Sequence, residues 1–315
     1  MSDAQNEARK QMNSENGFAG VYTALLTPFS EDGSRIEYGV LRSSLDFQIS
    51  SGIHGIVVAG SIGEFTTLSE EEWRKLVEST IAHVGGRIPV LVGSSAFTTA
   101  QTVDRSRFAE SAGADGVMVL PLGFWRLTDD EVRAHYAQVS DAVDLPVMIY
   151  NNPPKTAGVD IGAGLLRSIA QATKIKYVKE TSYDVHRTQE IVTQCGDSVV
   201  VFTGDDGAAL PAFALGARGW VAGMSNYIPE LCVAIFEEFE NGNLAAAKDA
   251  HYKVVEIRAL LESVGSYLGV TRAATRAVGI PVGPSRRPLL PLQPEEEAKL
   301  VRVLRKTGVL TDKAA

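Results

Sequence analysis

Short apolar runs punctuate this chain, each followed by a polar break and then a stretch with helical periodicity. The first four begin at Gly20 (GVYTALLTPF), Ile53 (IHGIVVAG), Ile88 (IPVLVGSS) and Ala114 (ADGVMVLP). Four more begin at Leu145 (LPVMIYNN), Ile175 (IKYVKETS), Ser198 (SVVVFTGDD) and Ala217 (ARGWVAGMSN). Within them the residues are continuously apolar and β-branched, as parallel strands covered on both faces require. The segments between them predict helices. SEEEWRKLVESTIAHV opens with Ser69 and Glu72 at capping-box spacing, and TDDEVRAHYAQVSDAV opens the same way at Thr128. In SGIHGIVV, AGADGVMV and LGARGWVA one glycine ends a helix and a second precedes the strand. A missing side chain there permits close helix–strand contact.

Strand–helix units repeated in this way predict an α/β chain folded as a closed (β/α)8 TIM barrel, with a doubly wound open sheet as the alternative. Further helical segments follow: LAAAKDAHYKVVEIRALLESV, GVTRAATRAVG and PEEEAKLVRVLRK. The expected division is a flexible extension over 1–17, the barrel over 18–241, and C-terminal helices packed on it over 242–315.

Composition narrows the function classes. A net charge of −8 repels phosphates, so nucleic acid is not expected as a partner. Cys195 and Cys232 are the only cysteines and have no ligand-like spacing, which fits a reducing compartment. No run approaches ~18 consecutive apolar residues, so no membrane association is expected and the cytoplasm is the expected location.

In such a barrel, reactive groups sit at the C-terminal ends of the strands. Lys179 ends a run in which Ile175, Tyr177 and Lys179 share one face under strand alternation. Confinement in a poorly hydrated barrel favours the neutral form of an amine, which can attack a ketone and form a Schiff base. A lysine that snorkels to the rim is the plain alternative. Tyr150 ends the preceding run and offers a phenol for proton transfer beside that amine; a core tyrosine is the alternative. In GSIGE (60–64), glycines flanking Ser61 and Ile62 let backbone N–H groups turn toward a small anion, with Glu64 as a brace. TGDD (203–206) supplies carboxylates that cap a helix, hydrogen-bond a substrate, or bind a metal together with Glu64. The five histidines fall at a strand start or in helix-like stretches and read as structural or surface residues.

GSIGE, YNNP (150–153), YVKETS (177–182), TGDD and GWVAGMSN (219–226), in this order, resemble the dihydrodipicolinate synthase/N-acetylneuraminate lyase family of class I aldolases over about residues 18–310. The resemblance implies that Lys179 forms a Schiff base with pyruvate or another 2-oxo acid, with Tyr150 as proton shuttle and Ser61 as its relay partner. It implies further substrate contacts at Ile62, Gly63, Lys155, Thr181, Gly204, Asp206 and Val221, an aldehyde as second substrate, and a homo-oligomer, dimer or tetramer. It implies no metal and no organic cofactor. Dihydrodipicolinate synthase activity is one expectation; a 2-oxo-3-deoxy sugar acid aldolase or dehydratase is another, and a non-catalytic 2-oxo acid-binding barrel a third. Three departures stand out. Ser61 and Ile62 replace two threonines, Lys155 replaces an arginine and so loses the bidentate fork, and PLGFW (121–125) replaces a Pro-Tyr-Tyr segment. The apolar bulk of PLGFW suggests a different or larger second substrate.

Overall fold

The computed structural model describes residues 17–310. The extension expected over 1–17 falls, apart from Gly17, outside the described residues. Eight parallel strands close into a barrel in chain order. They are β1 (Gly20–Ala24), β2 (Gly55–Val58), β3 (Val90–Gly93), β4 (Gly116–Val119), β5 (Val147–Asn151), β6 (Tyr177–Glu180), β7 (Val200–Thr203) and β8 (Gly219–Ala222). β1 pairs with both β2 and β8, so the sheet has no open edge.

After the first, each strand starts inside its apolar run: β2 at Gly55 and β6 at Tyr177. The leading residues Ile53 and Ile175 pack instead into the shell between barrel and helices. Ile175 therefore does not share the interior face of Tyr177 and Lys179, because strand alternation begins only where the ladder pairing of Tyr177 begins.

Eight helices follow the strands in turn: α1 (Tyr38–Ser50), α2 (Glu70–Val84), α3 (Thr99–Ser111), α4 (Asp129–Ala142), α5 (Ala163–Ala172), α6 (His186–Cys195), α7 (Ala209–Ala214) and α8 (Pro229–Glu240). Both capping boxes form. At α2 the Glu72 amide donates to Ser69 Oγ (3.2 Å) and the Ser69 amide to Glu72 Oε2 (3.0 Å); Thr128 and Glu131 repeat the arrangement at α4.

The apolar residues form two main layers. An outer layer joins strands to helices. An inner layer of Tyr22, Val57, Leu91, Met118, Met148 and Phe202 fills the barrel lumen, so the interior is a packed core. Its large rings explain two of the strand-opening glycines, Gly55 and Gly219. A Cβ on Gly55 would lie 2.2 Å from the Tyr22 ring, and one on Gly219 2.2 Å from the Phe202 ring. The close approach is thus to a ring inside the barrel, not to a helix as the sequence pattern suggested.

Three further helices, α9 (Leu244–Val264), α10 (Tyr267–Ala277) and α11 (Pro294–Lys306), follow the barrel. α9 packs on α8, and α11 packs on α9 and α10. Besides apolar packing, one tie between these helices and the barrel is ionic and buried. Arg272 on α10 donates to Glu64 Oε1 through Nη2 (2.6 Å) and Nε (2.9 Å), to the Thr27 carbonyl (2.9 Å) and to the Val282 carbonyl (3.0 Å). Glu64 Oε2 takes the Arg286 amide at 3.0 Å. Both side chains are about 2% exposed, so each charge depends on the other for what water would supply. Among the described residues, no helix is long and apolar enough to cross a membrane.

Removing one partner of this pair strands a buried charge. Glu64→Ala is expected to lower the unfolding free energy by about 3–5 kcal/mol in urea titrations. A Glu64→Leu/Arg272→Met pair is expected to recover most of that loss. If Glu64→Ala unfolds at the wild-type urea midpoint, the pair does not anchor α10.

Candidate active site

The lumen is filled below, and at the C-terminal end of the strands a cavity of about 290 Å³ opens. Its centre follows from one register: Tyr150 on β5 and Lys179 on β6 are Cα partners. Both project into the barrel and are 5% exposed, with Lys179 Nζ 3.9 Å from the centroid of the Tyr150 ring. The alternate residues turn outward and brace the strand ends. Asn151 Nδ2 donates to Glu180 Oε2 (2.8 Å), and Glu180 Oε1 accepts the Ser182 amide (2.6 Å). Burial raises the pKa of Glu180 against these hydrogen bonds.

The lysine's path into the cavity is kept open by Gly204. A Cβ there would stand 1.9 Å from Thr181 Oγ1 and 2.6 Å from Lys179 Cε. The Tyr150 hydroxyl is met by Asn152 Nδ2 at 2.8 Å, and also by the Ser61 hydroxyl and the Lys179 amine. Burial pushes the phenol's pKa up, but the Lys179 charge and these hydrogen bonds outweigh it, so the net shift is downward.

Ser61 and Ile62 enter from the turn after β2, where the Glu64 amide donates to the Ser61 carbonyl (3.1 Å) and the Phe65 amide to the Gly60 carbonyl (3.4 Å). Glu64 adopts a left-handed backbone, φ 54°, and is held there by Arg272. Lys155 reaches the mouth from a single 3-10 turn, Pro153–Lys155, and Val221 on β8 forms apolar floor. Thr181 also lines the cavity, and its buried hydroxyl has no hydrogen-bond partner.

Two expected contacts sit differently. Gly63 does not line the cavity; its carbonyl accepts from Thr27 Oγ1 (2.7 Å), and a Cβ there would meet the Leu25 carbonyl at 3.0 Å. It shapes the turn from behind. Asp206 lines the cavity, but its carboxylate is taken by protein donors: Trp220 Nε1 and the Gly223 amide, each at 3.2 Å, and the Tyr267 hydroxyl. Burial raises its pKa. Asp205 pairs with Arg258 at 2.5 Å. With Glu64, Asp205 and Asp206 each engaged by protein cations or donors in separate networks, they do not converge as a ligand set. Among the described residues, no group of three or more His, Cys, Asp or Glu side chains has metal-binding proximity.

Sequence reasoning missed several lining residues. Arg258, Leu261 and Glu262 come from α9, Tyr267 and Leu268 from α10, and no local pattern marks residues that arrive from so far along the chain. Tyr183, with a left-handed φ of 65°, lines the mouth beneath Arg258, whose guanidinium lies 5.9 Å from its ring centroid. Asn152 was legible in principle, since a strand period of two carries it to the same side as Tyr150. Phe124 and Trp125 do not enter the cavity; they are 83% and 78% exposed and stack edge to face at 5.2 Å.

Residues 17–307 match the model of the dihydrodipicolinate synthetase family. The chain is 34% identical over 289 residues to the 4-hydroxy-tetrahydrodipicolinate synthase of Sorangium cellulosum, covering 91% of this chain and 95% of that one. It superposes on the crystal structure of dihydrodipicolinate synthase from Aquifex aeolicus with a TM-score of 0.88 and 30% identity, over 94% of this chain and 100% of the other. A prophage protein of the dihydrodipicolinic acid synthase family from E. coli K12, solved in complex with pyruvate, gives a TM-score of 0.89 at 27% identity, over 93% of this chain and all of that one. With barrel, lysine strand and whole-length matches in agreement, the chain belongs to the dihydrodipicolinate synthetase family.

Proposed function

We propose that this protein is a class I, Schiff-base-forming lyase or synthase that joins pyruvate, or another 2-oxo acid, to an aldehyde and catalyses the reverse cleavage. The observation that carries the reading is a buried lysine amine against a hydrogen-bonded tyrosine at the cavity floor. The Lys179 amine adds to the C2 carbonyl, and loss of water leaves an imine. Tyr150, as proton shuttle, takes a proton from C3 to give an enamine, whose C3 forms a bond to the aldehyde carbon. Tyr150 supplies the proton that the new alkoxide takes up, with Ser61 as relay. Water then hydrolyses the imine, releasing product and amine. No step requires a metal or an organic cofactor.

In the turn after β2 the carbonyls of Gly60 and Ser61 are used internally. The Ser61 and Ile62 amides of this turn are the groups proposed, on the family resemblance, to hold the 2-oxo acid's carboxylate. Lys155 adds positive charge at the mouth, and Gly204 and Thr181 give the imine room. The exposed Phe124–Trp125 pair supports a homo-oligomeric assembly, and the cytoplasm is its proposed location.

Borohydride reduction in the presence of pyruvate is expected to add one reduced pyruvate to the peptide bearing Lys179, and Lys179→Arg to abolish the adduct. An unmodified Lys179 overturns the proposal. Gly204→Ala is expected to slow adduct formation by about a hundredfold, since it displaces the amine by the order of 1 Å. The pH–rate profile is expected to show a limb below ~10, the ordinary tyrosine range, which Tyr150→Phe removes. A limb that persists in Tyr150→Phe assigns it to another group.

A further inference from the structure

One wall of the cavity comes from outside the barrel. Leu261, Glu262, Gly265, Tyr267 and Leu268 line it from the corner where α9 gives way to α10. Leu261 and Gly269 are buried, but none of the residues between them is. A segment with few buried contacts opens locally while the fold around it stays closed. The chain also turns sharply there. Gly265 ends α9 in a left-handed conformation, φ 71°, which glycine adopts at little cost. Ser266, which starts α10, gives that helix no side-chain cap.

The polar contacts that hold this corner come from the loop after β7. Asp205 takes Arg258 on α9 (2.5 Å), which also holds Glu262 (3.1 Å), and Asp206 takes the Tyr267 hydroxyl at the start of α10. Two glycines leave room for these side chains. A Cβ on Gly207 would lie 2.2 Å from Arg258 Nη1, and one on Gly223 2.1 Å from the Tyr267 oxygen. Arg258 precedes Leu261, on the anchored side of the turn. Tyr267 lies beyond Gly265, so opening the corner must break its bond to Asp206.

We propose that residues 262–268 form a gate over the cavity mouth, hinged at Gly265 and latched by Tyr267 on Asp206, which opens to pass substrates and closes over the bound intermediate. What closure does for the reaction rests on the Schiff-base reading above. An enamine whose C3 meets water takes up a proton and returns to the pyruvate imine, so no carbon–carbon bond is made. Closing the mouth keeps water from C3 until the second substrate is in place.

The test follows backbone amide hydrogen exchange in wild type, Tyr267→Phe and Gly223→Ala. Tyr267→Phe removes the latch and keeps the ring; Gly223→Ala keeps the hydroxyl and fills its seat. In wild type, residues 262–268 are expected to exchange faster than the part of α9 before Leu261. Each variant is expected to speed exchange over 262–268 by about tenfold or more, and to leave β5 and β6 unchanged. In D2O with pyruvate alone, each is expected to raise deuterium uptake at pyruvate C3 by about tenfold relative to borohydride-trapped adduct. Wild-type exchange over 262–268 as slow as in the rest of α9, or no change in either variant, overturns the gate whatever the chemistry. Faster amide exchange with unchanged C3 labelling overturns the shielding of the enamine. Absence of any pyruvate adduct in wild type overturns the Schiff-base reading and the shielding with it, while the amide exchange still decides whether the corner opens.

Discussion

Adjacent strands lie about 4.8 Å apart, and residues paired across them on one face bring their side chains into contact. In this barrel the β5–β6 register makes Tyr150 and Lys179 such a pair, on the inner face and at the open end. A one-residue slip would send both outward to where Asn151 and Glu180 now sit. The register is over-determined. Strands on both sides share it, Asn151 and Glu180 bond across it, and the packed lumen below admits no other arrangement. The chemistry thus inherits its precision from the whole sheet.

The second constraint is how charge is distributed around that pair. Carboxylates close to the cavity are each engaged: Glu64 by Arg272, Asp205 by Arg258, Asp206 by Tyr267 and Trp220. Their partners come largely from α9 and α10, so helices beyond the barrel fix the loops that form the mouth. Lys179 lies against the Tyr150 ring.

Much of this was legible in the sequence. Continuous β-branched runs gave the strands, Ser69/Glu72 and Thr128/Glu131 gave helix starts, and a lysine at the end of an apolar run gave the centre of the site. Legibility failed where long-range contacts decide. Ile175 has the spacing of an inward residue, yet it lies before the ladder begins and packs outward. Gly55 and Gly219 read as helix contacts, but rings inside the barrel claim their space. Arg258 and Tyr267 carry no local mark at all, because only the folded α9 and α10 bring them over the mouth. The aromatic bulk of PLGFW suggested a reshaped substrate pocket; its rings project away from the cavity, a direction that composition does not encode.

The central claim is that the amine of Lys179 becomes covalently joined to a 2-oxo acid beside the Tyr150 phenol. The most direct measurement is a crystal structure of the protein soaked with pyruvate. Continuous density from Lys179 Nζ to C2 of the acid is expected, with the Tyr150 oxygen within about 2.6–3.2 Å of a reacting atom. Pyruvate bound without that bond, or joined to a different lysine, would contradict it.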